Sequence, residues 1–212
     1  MSGIRLLFLI AATEPWEVQA NKMADSTPDI PPPQKRILYL AAQVNQKSMN
    51  DLTKSIIQIN DHDRYLEKLY PIYDLEYKPK PIKIYIDSYG GAVYQCLGLL
   101  GVMKKSVTPI HTLAAGAAMS CGFMILICGH KRFGYEYSTP LYHQVSTGFW
   151  GKVKDMEDSL EETKRLQKKI EEITLERTNI SQKKLSEVLK NKVDWYMTAE
   201  EALQLGVIDG IV

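Results

Sequence analysis

The chain has 212 residues, 45% hydrophobic and 24% charged, an ordinary globular composition for one domain whose core hides roughly 70% of the unfolded-chain surface. Lys plus Arg number 26 and Asp plus Glu 25, a formal net charge of +1, so neither nucleic acid nor an anionic membrane has an electrostatic reason to bind. Cys96, Cys121 and Cys128 are an odd number of cysteines in apolar surroundings, which argues for free thiols in a reducing, cytoplasmic compartment and against a disulfide framework.

No apolar run approaches the ~20 residues that span a bilayer. Residues 6–12, LLFLIAA after a single Arg5, faintly resemble the apolar part of a signal peptide. The alternatives are a disordered tail or a true start at Met23. PDIPPP cannot form a helix and reads as an extended lead-in. Residues 1–34 are therefore expected to be an N-terminal tail, disordered or processed, and 35–212 a single domain.

RILYLAAQV reads as a short buried strand and its exit. NQKSMNDLTKSIIQIND places Met49, Leu52, Ile56 and Ile57 on one helical face. HDRYLEKLYPIYDLEYKPKP, from His62, reads as an irregular excursion. In IKIYID, Ile82, Ile84 and Ile86 alternate as in a half-buried strand. SYGGAV is a turn feeding the apolar helix VYQCLGLLGVMKK. VTPIHTLAA is a second strand leading into GAAMSCGFMILICG, a turn and helix, and a third strand lies around KRFGYEYSTPLYHQ.

Over 152–177 the apolar or near-apolar positions Val153, Met156, Leu160, Thr163, Leu166, Ile170 and Ile173 are spaced by three and four, a long amphipathic helix. It either buries one face on its own domain or docks on a neighbouring subunit. Near the C-terminus, Thr198 and Glu201 form a capping box for a short helix.

Strands alternating with helices imply an α/β fold with a mainly parallel sheet. Ligands in such sheets sit beyond the carboxyl ends of the strands, where SYGG, AAGAAMS and LYHQ fall. A serine nucleophile needs a base, and that base an orienting acid. Ser120 stands where a helix begins. Of the four histidines, His62 lies in the excursion, His111 inside a strand, and His130 roughly 15 Å along the helix from Ser120. His143 remains, at a strand end. Glu136 is the only carboxylate between Ser120 and His143, and it is read as lying within a strand. A downstream acid is therefore needed, and Asp194 fits. The backbone N–H groups of Cys121 and Gly91 are the candidate oxyanion donors. Each feature alone has an ordinary structural reading; their joint order and placement carry the inference.

These stretches resemble the Clp protease proteolytic subunit family, self-compartmentalising serine peptidases of the crotonase-like superfold, from about Arg36 to the C-terminus. IKIYIDSYGGAV is similar to the family's strand and glycine turn, GAAMSCG to its nucleophile motif, LYHQ to its histidine motif, and DWYMTAEEALQLGVID to its acid segment and closing helix. The resemblance implies repeated β-β-α units with a long protruding helix. It implies Ser120 as nucleophile, His143 as general base and acid, Asp194 as its orienter, and the Gly91 and Cys121 N–H groups as oxyanion hole. It also implies a homo-oligomer of stacked heptameric rings, joined with the help of the long helix and fed with unfolded protein by an ATP-dependent AAA+ unfoldase. Tyr89 stands where the family usually has proline, and Cys121 where it commonly has methionine.

An extended peptide would add as a strand beside Gly90, Gly91 and Ala92. Such chemistry implies no metal and no organic cofactor, ATP being used by the unfoldase. The competing readings are a catalytically silent ring subunit, a crotonase-type acyl-CoA enzyme, and a membrane-anchored Ser-Lys signal-peptide peptidase. The filled Ser-His-Asp positions count against the first two, and the lack of an anchoring helix against the last.

Overall fold

The computed structural model describes residues 34–212 except Phe149 and Lys192; the expected tail over 1–34, with its 6–12 stretch, lies outside the described residues but for Gln34. These residues gather into one compact unit. Strand β1 (Ile37–Leu40) pairs in parallel with β2 (Ile82–Ser88). It is not the buried strand expected: Ile37 and Tyr39 are exposed and only Leu40 is buried. The register Tyr39↔Tyr85↔Leu113↔Phe133 places these side chains on one sheet face, and no helix covers that face among the described residues. The opposite face carries Leu40, Ile82, Ile84, Ile86 and Ile110, all buried.

Helix α1 (Gln46–Leu69) opens on a capping box between Asn45 and Ser48. It buries Met49, Leu52, Ile56, Ile59 and Leu66, whereas Ile57, assigned above to that face, is exposed. The helix also runs through NDHDRYLEKL, so the irregular excursion begins only after Leu69, and His62 is a buried helical residue. The reason is non-local. Asp63 is fully buried, and Arg36, Thr108 Oγ1 and Tyr77 OH all donate to its carboxylate. A polar pattern that reads as solvated is satisfied inside instead. A 3₁₀ turn over Tyr70–Tyr73, with Pro71, ends the run.

Helix α2 (Val93–Lys105) returns the chain to β3 (Ile110–Met119). The expected strand stopped at Ala115; β3 continues because Ala117–Met119 find a second partner in β5 (Thr139–Tyr142). Its two halves meet at Gly116. A Cβ there would lie 2.6 Å from Asp87 Oδ1, and that oxygen accepts the Ala117 N–H at 2.9 Å. The following helix, α3 (Cys121–Ile127), is buried at all seven positions, each large apolar side chain worth about 1.5–3 kcal/mol of burial.

The third expected strand is two, β4 (Lys131–Gly134) and β5, with Glu136 in the turn between them rather than within a strand. The long helix is α4 (Val153–Arg177), followed by α5 (Gln182–Asn191), β6 (Trp195–Tyr196), α6 (Ala199–Gln204) and β7 (Gly210–Ile211). Thr198 and Glu201 form the expected capping box on α6. The sheet order is β1-β2-β3-β4-β7, all parallel, with β5 beside the far half of β3 and β6 antiparallel to β5. Along α4 only Leu166, Gln167, Ile170 and Thr174 are buried; Val153, Met156 and Leu160, the first half of the apolar stripe, are exposed.

Candidate active site

Ser120 leaves β3 and opens α3 with φ 54° and ψ −117°, a backbone region that costs a non-glycine residue of order 1–3 kcal/mol. Its side chain makes no capping hydrogen bond, so Oγ is not consumed by the helix end. The residue is held by its backbone: the N–H donates to Leu141 O at 3.0 Å and the carbonyl accepts from Met124 N–H at 3.1 Å. Strand β5 thus carries both the anchor of Ser120 and, just past its end, His143.

The glycine turn packs directly on this corner. Gly90 has φ +94°, and a Cβ there would lie 2.7 Å from both Met119 O and Ser120 Cβ. Ser88 Oγ, buried, donates to Ala42 O at 2.6 Å and accepts from Gly90 N–H at 3.2 Å. The Val44 N–H takes the Gly90 carbonyl and the Val44 carbonyl takes the Ala92 N–H, each at 2.8 Å. Of the three residues proposed to meet substrate, Gly90 and Ala92 therefore already pair with Val44. Gly91 presents its backbone groups on the other side, toward Cys121, whose thiol donates to Gly91 O at 3.3 Å. Neither the Gly91 nor the Cys121 N–H donates to an oxygen acceptor among the described residues.

Ser120, Gly91, Cys121 and His143 line one narrow cleft, floored by Val93, Met124, Tyr142, Val145 and Ile170. His143 Nδ1 lies 3.6 Å from Asp194 Oδ1, which stands just before β6 and so opposite the end of β5. That distance is slightly beyond a hydrogen bond. No hydrogen bond joins Ser120 to His143 among the described residues, a looseness common in sites that tighten only around substrate. His62, His111 and His130 are elsewhere: His62 in α1, His111 in β3, and His130 with Nδ1 accepting the Ile110 N–H at 3.0 Å.

Sequence reasoning missed Gln167. It is a buried amide on α4 whose Oε1 accepts the Val145 N–H at 2.8 Å, while Nε2 donates to Glu171 Oε1 at 3.0 Å and to Tyr142 OH at 3.4 Å. These bonds bracket His143 on both sides. Tyr142, whose ring meets Phe123 edge-on at 5.8 Å, has its phenol pushed up to about 12, mainly by burial, and stays neutral. The available signal was a polar residue between Leu166 and Ile170 in an apolar stripe. No group of His, Cys, Asp and Glu among the described residues could hold a metal ion.

The Clp protease family model matches residues 33–212. The chain is 29% identical over 179 residues to the ATP-dependent Clp protease proteolytic subunit of Bacteroides thetaiotaomicron, which covers 84% of this chain and 74% of that one. Its counterpart in Porphyromonas gingivalis is 30% identical over 179 residues, covering 84% and 73%. That of Bacteroides fragilis is 29% identical over 179 residues, covering 84% and 79%.

Proposed function

The chain belongs to the Clp protease family and is a peptidase, and from that premise we propose that it is a serine endopeptidase in which Ser120, His143 and Asp194 carry the reaction. The observation that carries this reading is the approach of the Asp194 carboxylate to His143 Nδ1, beside a strained Ser120 and two unclaimed backbone donors. Asp194 holds the imidazole with Nε2 toward Ser120. Nε2 takes the Oγ proton as Oγ attacks the substrate carbonyl carbon. The resulting oxyanion receives the Gly91 and Cys121 N–H groups, and the positive end of α3 favours the same charge. His143 then returns the proton to the leaving amine, and water, activated in the same way, releases the acyl group.

The peptide lies extended against Gly91, with one side chain over the apolar floor of Val93, Met124 and Ile170, a site suited to apolar residues. Neither metal nor organic cofactor takes part in these steps. No helix among the described residues is long and apolar enough to cross a membrane.

The chain works within stacked rings fed by an AAA+ unfoldase. Two exposed apolar surfaces support assembly. One is the outer half of α4 at Val153, Met156 and Leu160, suited to a facing ring. The other is the open sheet face, where Tyr39 stacks on Tyr85 at 5.4 Å beside Leu113, Phe133 and the exposed Tyr135 and Val212, suited to the unfoldase.

The test is labelling of the purified full chain with a fluorophosphonate, with peptide mapping and particle size read on one sample. Adduct on Ser120 in a ring is the expected result. A well-formed ring with no adduct would point instead to a silent structural subunit.

A further inference from the structure

Two thiols lie directly behind the oxyanion corner and have no part in the reaction. Cys96, on α2, and Cys121, the first residue of α3, are each 1% exposed. Cys96 Sγ donates to the Cys121 carbonyl at 3.6 Å, and Cys121 Sγ donates to the Gly91 carbonyl at 3.3 Å. Helices α2 and α3 pack together here, so the pair bridges two elements that both end at the site. Cys128 is different, half-buried at the far end of α3 with its thiol pushed up to about 11 by burial.

We propose that Cys96 and Cys121 are an oxidation site that forms a disulfide in the presence of a hydroperoxide and thereby disables the oxyanion hole. The proposal rests on the assignment of Ser120 and the Cys121 N–H to the reaction. Of the two sulfurs Cys121 ionises first: the adjoining Cys96 side chain holds its thiol below the usual value, against the opposing effect of burial. The thiolate is the form that attacks. Cys121 also lines the cleft through which a molecule as small as hydrogen peroxide arrives.

The chemistry closes without another reagent. The Cys121 thiolate attacks one peroxide oxygen, the O–O bond breaks, and hydroxide leaves and is protonated to water, giving a sulfenic acid. The Cys96 sulfur attacks the sulfenic sulfur, the S–O bond breaks, and a second water leaves with the Cys96 proton. Two thiols have lost two electrons and two protons, and one peroxide has become two waters. The new bond draws Cys121 Sγ away from Gly91 O toward α2. Cys121 is peptide-bonded to Ser120 and supplies an oxyanion N–H, so both shift together.

The full chain, reduced and then treated with hydrogen peroxide, is read by peptide-mapped mass spectrometry and by peptide hydrolysis on the same sample. A Cys96–Cys121 peptide lacking two hydrogens, with hydrolysis lowered roughly 100-fold and restored by dithiothreitol, is expected. Cys96→Ala should keep the reduced activity and escape the reversible loss. Oxidation that never joins these two residues overturns the proposal, as does a mapped link with unchanged hydrolysis, or a reversible loss that persists in Cys96→Ala. Fluorophosphonate labelling of the reduced sample keeps the two ideas apart. No Ser120 adduct there counts against the catalytic assignment, whereas mass mapping reports the link whatever Ser120 does.

Discussion

The backbone N–H of Ser120 donates to the carbonyl of Leu141 at 3.0 Å, and Leu141 stands two residues before His143. The serine and the histidine are therefore tied through one sheet hydrogen bond, made possible because β3 continues past Gly116 to meet β5. Side-chain truncation at either residue leaves this backbone link intact. Ser120→Ala and His143→Ala are each expected to lower peptide hydrolysis by roughly 10³-fold or more with unchanged thermal melting. Asp194→Asn should cost less, about 10²-fold, because the carboxylate side chain is 60% exposed and water can replace part of its role. Turnover of a fluorogenic peptide checks all three, and wild-type rates in Ser120→Ala would end the assignment.

Gly90 is required by space as well as by its backbone angle. Gly90→Ala drives a methyl into Met119 O and Ser120 Cβ, both 2.7 Å away, and backbone cannot yield as a flexible side chain can. Ser120 must move, so fluorophosphonate labelling should slow by about 100-fold while stability falls by roughly 1–3 kcal/mol. An unaltered labelling rate would mean that the corner tolerates the shift.

Gln167 positions the segment around His143 from a helix that the cleft otherwise uses only as a wall. Gln167→Leu preserves bulk beside Leu166 and Ile170 but leaves the Val145 N–H without its acceptor, a loss of about 1–3 kcal/mol where buried. The expected signature is a kcat reduced about tenfold with KM nearly constant. Lower stability with normal kcat would reduce Gln167 to a support of the fold.

Asp63 makes stability depend on pH. Burial raises its carboxyl pKa, but hydrogen bonds from Arg36, Thr108 and Tyr77 outweigh burial and hold it below the usual carboxylate range. A depressed acid contributes stability that is fully present above its unfolded value near 3.9 and is lost as pH falls through the folded value. Tyr77, pushed up to about 12 first by burial and then by Asp63, contributes stability that is present below its unfolded value of about 10 and lost between there and about 12. Urea melts of Asp63→Asn at neutral pH should show a loss of about 3–5 kcal/mol, since Arg36 is left without its partner, and the mutant should lose the acid-side slope. A slope identical to the parent's would place the acid sensitivity elsewhere.

Leu160 sits on the exposed half of α4 at 46% exposure, between Val153 and Met156 on one side and the buried Leu166 on the other. If this stripe meets a second ring, Leu160→Lys should shift sedimentation from the double to the single ring, with the protomer's melting point unchanged. A double ring that survives the substitution would assign the stripe to another contact.

Much of the molecule was legible in its residue order. The alternation of Ile82, Ile84 and Ile86, the spacing of the long helix, the Thr198–Glu201 capping box and the placing of Ser120 at a helix start all follow from periods of 2 and 3.6 and from local hydrogen bonding. The segment from His62 reads as irregular because it is rich in Tyr, Lys and Pro, yet Asp63 is buried among partners from three other parts of the chain. Ile57 shares the helical spacing of Met49, Leu52 and Ile56 yet is exposed, and Glu136, flanked by tyrosines, lies in the turn between β4 and β5.

What sequence alone determined is a local inventory: the strand of Ile82, Ile84 and Ile86, the long amphipathic helix, the Thr198–Glu201 cap, and which residues have the chemistry of a nucleophile, a base and an acid. Tertiary structure decided the rest. It set the φ of Ser120, the unclaimed N–H groups of Gly91 and Cys121, the 3.6 Å approach of His143 to Asp194 and the bond from Gln167 to Val145. Each depends on groups far apart in the chain, whose meeting is governed by strand pairing and by the need to satisfy buried polar atoms. Neither leaves a periodic mark on the sequence.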